Sequence, residues 1–408
     1  MEQNERKKTR AGMMCYFLPQ KGFAEQMAAV VVQCGANHLY WKEKDGKRTA
    51  FPPGTAHFLE HKLFQKKWGD ALAAFAQKGA TANAFTDGDK TVYYFTCKEG
   101  FLEHLRLLLE LVQEPYFTEE ATEREKEIIS REIRLYLDDP DRVAYEQLLK
   151  SMYGRHPVQY PIAGREEDLS EITARTLRDA YTHLVTTDRM ALICAGDIPL
   201  RRTWELADGM ERQETEACVY FPMEESGILE KYTERKMGLS RPRFQMGCKL
   251  LPMQRQEWLR VKPAAWAAME LWAGESSGFY ERAYTEGLLE EPLGGALLCG
   301  EGYAFAAFSG SAEQPEEIAE LLCGSLERLQ REGVKEEDFL RIRKKLLGQF
   351  LRQTGTPRGK AFAQMEWAGA EVTLEEVIQR LKGLQKKEVE QMLKEAFAVD
   401  RVALSVVT

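Results

Sequence analysis

FTEEATEREKEIISREIRLYLDDPDRVAYEQ, residues 117–147, returns as VKEEDFLRIRKKLLGQFLRQTGTPRGKAFAQ, residues 334–364, at a constant offset of 217 residues. Glu119 and Glu120 fall on Glu336 and Glu337, Arg124 on Arg341, Ile129 on Leu346, Pro140 on Pro357, Ala144 on Ala361 and Gln147 on Gln364. Each copy also closes on a similar strand, Asp188 to Leu192 in one and Asp400 to Leu404 in the other. Self-similarity at a fixed offset marks one structural unit built twice. The chain therefore divides into repeats at residues 1–205 and 229–408, joined by a polar linker, 206–228, whose acidic part runs from Asp208 to Glu225.

Within the first copy, the apolar run Ala28 to Cys34 and the Val-, Tyr- and Phe-rich run Thr91 to Cys97 read as strands. Phe101 to Val112 and Thr118 to Leu137 have helical periodicity. Strands followed by helices predict an α+β fold: two homologous repeats, each a largely antiparallel sheet with helices packed on one face. A length of 408 residues agrees with two domains. The net charge of −8 argues against nucleic acid or an anionic membrane as partner. The apolar run Met13 to Leu18 is too short for a signal-peptide core or a membrane span. The eight cysteines are scattered without a C-x-x-C pair, several inside strand-like runs, which points to buried, reduced thiols in a cytoplasmic protein.

The chemistry is carried by His57-Phe58-Leu59-Glu60-His61. Residues four apart share a helix face, so His57 and His61 point the same way and can fill two positions of a tetrahedral zinc. Glu60 projects beside them, placed to take a proton from an activated water. Pro52-Pro53-Gly54-Thr55 reads as a turn with a Thr N-cap, starting the helix at Ala56. The chain has only six histidines, so two at this spacing around a glutamate is improbable by chance. The second copy has no such motif; its helix from Trp258 to Trp272 is apolar and basic. The fold can thus be built without these residues, which favours chemistry over structure.

A zinc site needs a third protein ligand. In the helix 118–137, Glu125 and Glu132 are seven apart and share a stripe with Ile128 and Ile129, expected to face inward. A carboxylate on an apolar stripe needs a compensating partner. The matching positions in the second copy are Ile342 and Gln349, so both acids are lost where the histidines are lost. Glu132 is assigned as the third ligand and Glu125 as an acid supporting the site.

Together these residues resemble the pitrilysin/insulinase family of zinc metallopeptidases. The resemblance spans nearly the whole chain: the H-x-x-E-H motif, called the inverzincin signature, then Ala82-Asn83-Ala84-Phe85-Thr86 running into Thr91 to Phe95, Glu125 to Glu132, and His156-Pro157 before Pro161-Ile162-Ala163-Gly164. It implies the fold of the mitochondrial processing peptidase and one Zn²⁺ per chain held by His57, His61 and Glu132. It further implies Glu60 as general base with Glu125 in support, and an edge strand at Asn83, Ala84 and Phe85 that pairs with extended substrate. The expected function is a zinc-dependent endopeptidase that hydrolyses unfolded peptides, or trims a peptide precursor, inside a clamshell cavity.

One departure bears on this expectation. Active members commonly carry an Arg and a Tyr seven apart near the start of the second copy. Registered on Gly287-Leu288, those positions hold Ala283 and Glu290, with Arg282 and Tyr284 off register. This wording is closer to short bacterial members that work with a related second subunit, so a heterodimer or a self-dimer is expected. Two alternatives stay open: a non-catalytic or partner-dependent peptide-binding subunit, and a narrow maturation peptidase.

Overall fold

The computed structural model describes residues 4–408. The first repeat runs through β1 (Glu5–Lys8), β2 (Met14–Pro19), β3 (Gln26–Val32), α1 (Thr55–Leu63), β4 (Thr81–Thr86), β5 (Thr91–Cys97), α2 (Phe101–Gln113), α3 (Glu119–Leu137), α4 (Pro140–Met152) and β6 (Met190–Gly196). The second follows the same plan with β7 (Tyr232–Arg235), β8 (Arg243–Lys249), α5 (Trp258–Ala273), β9 (Gly294–Gly300), β10 (Tyr303–Ser311), α6 (Pro315–Glu332), α7 (Glu336–Gln353), α8 (Pro357–Met365) and β11 (Val402–Val407).

One sheet has the order β1-β2-β6-β3-β5-β4 and the other β7-β11-β8-β10-β9, so the last five strands of the first match the second one for one. In each, the closing strand of the repeat pairs parallel with one neighbour and antiparallel with the other, β6 between β2 and β3, β11 between β7 and β8. All other pairs in these two sheets are antiparallel. Both are therefore the mixed, mainly antiparallel sheets expected of an α+β repeat.

The helices do more than cover one face. Every residue of β6 is buried, as are six of the seven in β3. A strand solvated on one side would expose alternate residues, so both faces must be covered. On β5, neighbouring side chains point to opposite faces: Phe95 meets Phe101 and His104 of α2, while Tyr94 meets Phe362 of α8, ring centres 5.5 Å apart. In the second sheet, Phe305 and Phe308 of β10 lie on opposite faces; Tyr145 of α4 meets the first and Trp272 of α5 the second. Each sheet is thus sandwiched, and one of its two covers comes from the other repeat.

The compact units follow this exchange and not the sequence division at 205 and 229. The first takes in the chain up to Ile133, Pro161–Tyr220 and Leu351–Leu374; the second takes in Arg134–Tyr160, Phe221–Phe350 and Glu375–Thr408. The exchanged helices start on the same chemistry. Asp139 caps α4 by accepting from the Asp141 and Arg142 amides, with Pro140 in the first turn; Thr356 caps α8 by accepting from the Gly359 amide, with Pro357 in the first turn. Nor is the acidic 206–228 stretch a free tether. Cys218 and Val219 pair with Lys42 and Trp41, and the Glu224 carboxylate accepts from the amides of Gly154, Arg155 and His156 at 3.3, 2.8 and 2.8 Å.

All eight cysteines are free thiols, six of them buried, and Cys218 is exposed. Among the described residues, no helix is long and apolar enough to cross a membrane.

Candidate metal centre

α1 begins one residue earlier than its sequence suggests, and its cap differs. Gly54 is the N-cap, at φ 86°, and Thr55 is already helical, its hydroxyl donating back to Pro52 O at 2.7 Å. Only glycine fits at 54: a Cβ there would lie 2.4 Å from the carbonyl oxygen of Ala163. Packing sinks nearly the whole helix. His57, Glu60 and Lys62 are buried, and the His57 and His61 ring centres are 4.6 Å apart.

The second support is α3. Its buried row is Ala121, Thr122, Glu125, Ile129 and Ile133. Ile128 was expected inward and is instead 51% exposed. At 100° per residue, the row through 125 and 129 leaves 128 on its outer flank, one turn before Glu132. Glu125 is buried, while Glu132 sits at the rim of the row, its side chain 26% exposed.

The helices bring His57, His61 and Glu132 together. His57 Nε2 lies 3.6 Å from Glu132 Oε1, and His61 Nε2 lies 3.6 Å from Glu132 Oε2. These separations are too long for hydrogen bonds. They match a shared ion: ligands at about 2.0–2.2 Å from a tetrahedral zinc lie roughly 3.3–3.6 Å from one another. Two imidazoles and one carboxylate also form a donor set that suits zinc. The surroundings call for positive charge. Burial pulls the His61 imidazole pKa down, but the hydrogen bond to Glu125 and the charges of Glu60, Glu125 and Glu132 outweigh it and raise the value above normal. No other group of three or more His, Cys, Asp or Glu residues among the described residues could hold a metal ion.

Around this triplet stand residues that can steer it. Glu125 Oε1 faces His61 Nδ1 at 3.1 Å. The Glu60 carboxyl pKa is raised by burial, against the opposing pull of a Thr86 hydrogen bond and the charges of His57 and His61. That bond runs from the Thr86 hydroxyl to Glu60 Oε2 at 2.7 Å. Thr86 is the last residue of β4, the terminal strand of its sheet, paired among the described residues only with β5. Asn83, Ala84 and Phe85 therefore lie on a sheet edge leading to Glu60. Asn83 is exposed, and its side-chain oxygen is occupied locally by the Ala84 amide at 2.8 Å.

Three participants were missed from sequence: Thr86, Lys62 and Gln65. Gln65 donates to Glu125 Oε2 at 3.2 Å, and the fully buried Lys62 ammonium lies 3.8 Å from the same oxygen. One signal was available, a lysine directly after the motif on a helix otherwise buried. In the second unit, Ala283 is buried inside the helix Gly278–Thr285, and Glu290 is paired with Arg241 at 3.0 Å. Arg282 pairs with Glu286, and Tyr284 is 61% exposed.

The family model described as insulinase (peptidase family M16) matches residues 28–166, and the one described as peptidase M16 inactive domain matches residues 171–346. The chain is similar to the uncharacterized zinc protease YmfH of Bacillus subtilis, 31% identical over 96% of this chain and 94% of that protein. It is similar over 38% of its length to the mitochondrial-processing peptidase subunit beta of Neurospora crassa, 32% identical over 34% of that subunit. An M16-like crystal structure from Alicyclobacillus acidocaldarius superposes with a TM-score of 0.94 at 26% identity, covering 99% of this chain and 98% of that one.

Proposed function

Because this chain belongs to the insulinase family of peptidases, family M16, we propose that it is a zinc-dependent endopeptidase acting on extended peptides. The observation that carries this reading is the convergence of His57 Nε2, His61 Nε2 and both Glu132 oxygens at 3.6 Å, with the Glu60 carboxylate beside them. A bound zinc would polarise the scissile carbonyl and make a water more acidic. The remaining work falls to the chain. β4 offers an unpaired sheet edge to which an extended peptide can add as a further strand, so main-chain hydrogen bonds hold it regardless of sequence. Thr86 holds one oxygen of Glu60, leaving the other to receive a proton from the attacking water and pass it to the leaving amine. Burial, which raises the affinity of Glu60 for that proton, suits it to both steps.

A second reading is favoured by one observation. Ala283 and Glu290 supply neither a guanidinium nor a phenol where active members carry them, and Glu290 is paired with Arg241 at 3.0 Å. On this reading the chain acts in a heterodimer with a related subunit that completes the substrate contacts, or serves as its peptide-binding partner.

Glu60→Gln, together with the wild-type protein assayed alone and with a related subunit, separates the two. As an endopeptidase, the variant loses peptide hydrolysis by at least a thousandfold while metal analysis still finds one zinc per chain. Undiminished hydrolysis in that variant would refute the assignment. A wild-type protein that binds zinc yet cleaves only after a related subunit is added supports the second reading.

A further inference from the structure

We infer that Lys62 and Gln65 are positioning residues for Glu125, and through it for His61, fixing the His61 proton on Nδ1 so that Nε2 presents its lone pair to the metal. The inference rests on the zinc-site reading above and deepens it.

It starts from a costly choice. Lys62 is fully buried on α1, one residue past the motif. An ammonium taken out of water costs several kcal/mol unless it is well paired, and an apolar side chain would fill the same space without that cost. Its contacts all converge behind the metal site. The ammonium donates to the Ala121 carbonyl on α3 at 3.0 Å and to Gln65 Oε1, and lies 3.8 Å from Glu125 Oε2. Gln65 is used at both ends. Its oxygen accepts from Lys62, which obliges its nitrogen to point the other way, and there it donates to Glu125 Oε2 at 3.2 Å. One carboxylate oxygen of Glu125 is therefore claimed by Lys62 and Gln65, and the other is turned to His61 Nδ1 at 3.1 Å. An ionised carboxylate can only accept, so Nδ1 donates, and in the neutral ring that binds a metal the lone pair is then on Nε2, which faces Glu132.

The repeat and the partner histidine both support a role specific to His61. The position equivalent to Glu125 is Ile342, also buried, so the fold accepts an apolar side chain there where no histidine needs orienting. His57 Nδ1, by contrast, is buried with no hydrogen-bond partner. Only one of the two imidazoles is held from behind.

Lys62→Met and Gln65→Leu in the full chain test this. Zinc affinity is measured by competition with a chromogenic chelator, thermal unfolding is followed without zinc, and kcat and KM are measured on a quenched peptide. Loss of the direct partner of a metal-ligating histidine lowers affinity by about 10–100-fold; Lys62 and Gln65 act one contact further out, so a loss at the lower end, about tenfold, is expected in both variants, with kcat reduced and KM nearly unchanged. The double variant Lys62→Met/Glu125→Gln removes the unbalanced buried charge. It is expected to recover the zinc-free melting temperature; if Lys62→Met alone does not fold, Gln65→Leu, which removes no charge, supplies the zinc-affinity measurement. Wild-type zinc affinity in Lys62→Met and Gln65→Leu would overturn this inference alone. A parent protein that takes up no zinc would overturn the zinc reading and this one with it.

Discussion

Thr86 donates a hydrogen bond from its hydroxyl to Glu60 from the end of the strand proposed to receive the substrate. A hydrogen bond to a charged group contributes about 1.5–3 kcal/mol, and if half of that is felt in the transition state the effect on rate is about four- to thirteenfold. Thr86→Val is expected to lower kcat by about that factor, with zinc content and KM unchanged, and Thr86→Ser is expected to restore it; steady-state kinetics with metal analysis checks both. At this scale the sequence was partly legible. His57, Glu60 and His61 lie within one helical turn, so their spacing alone places them together. Glu132 lies far along the chain, yet comparison of the two copies picks it out together with Glu125, since Gln349 and Ile342 stand at their equivalents. Thr86 and Gln65 were not legible, because their partners are set by how β4 and α3 pack on α1, which no local pattern encodes.

At the level of elements, the start of α1 depends on a meeting of two turns. Gly54 sits at φ 86° with a hypothetical Cβ 2.4 Å from Ala163 O, and Gly164 sits at φ 72° with its own Cβ 2.5 Å from Pro53 O. Gly54→Ala or Gly164→Ala must therefore both strain the backbone and part the two turns. We expect each to cost at least about 1–3 kcal/mol, read as a lower midpoint in urea unfolding, and to weaken zinc binding because the strand-to-helix turn that aims His57 shifts. The sequence reading expected a Thr55 cap here because Thr55 follows a Pro-Pro-Gly turn; the tertiary contact selects Gly54 instead.

A second element-level prediction concerns His156, which lies against Phe221 and donates from Nε2 to Glu301 O at 2.8 Å while Nδ1 accepts from the Val158 amide. Burial pushes its pKa down to about 4 from 6.5, with the Glu301 bond and the Glu224 charge opposing and Lys249 assisting. The folded value lies below the unfolded one, so this contribution is fully present above pH 6.5 and is lost as pH falls toward 4. The loss amounts to roughly 3 kcal/mol over that window. Urea midpoints measured from pH 7 to pH 4 should fall more steeply for the parent than for His156→Gln.

For the whole molecule, the repeat pointed to the fold, and both sheets share one strand order. It did not predict the exchange of covers. Helices α4 and α8 stand at equivalent positions in their repeats, and nothing in either segment says which sheet it will lie on. A domain is stable by only about 5–15 kcal/mol, and one buried Phe or Met contributes about 1.5–3 kcal/mol. A sheet stripped of the helix bearing Phe362, Ala363 and Met365 therefore stands near the limit of stability. Residues 1–228 produced alone are expected to lack cooperative thermal unfolding and to bind a hydrophobic dye, and co-expression with residues 229–408 is expected to abolish both signs.

The exchange also sets a timetable for synthesis. The first sheet has all its strands once Gly196 leaves the ribosome, but its missing cover ends at Met365. At roughly 5–20 residues per second, one face of a nascent sheet stays open to solvent or to any neighbouring chain for on the order of ten seconds or more. A holding chaperone that shields this surface would then raise the yield of the full-length protein far more than it would help a chain whose halves each close on themselves.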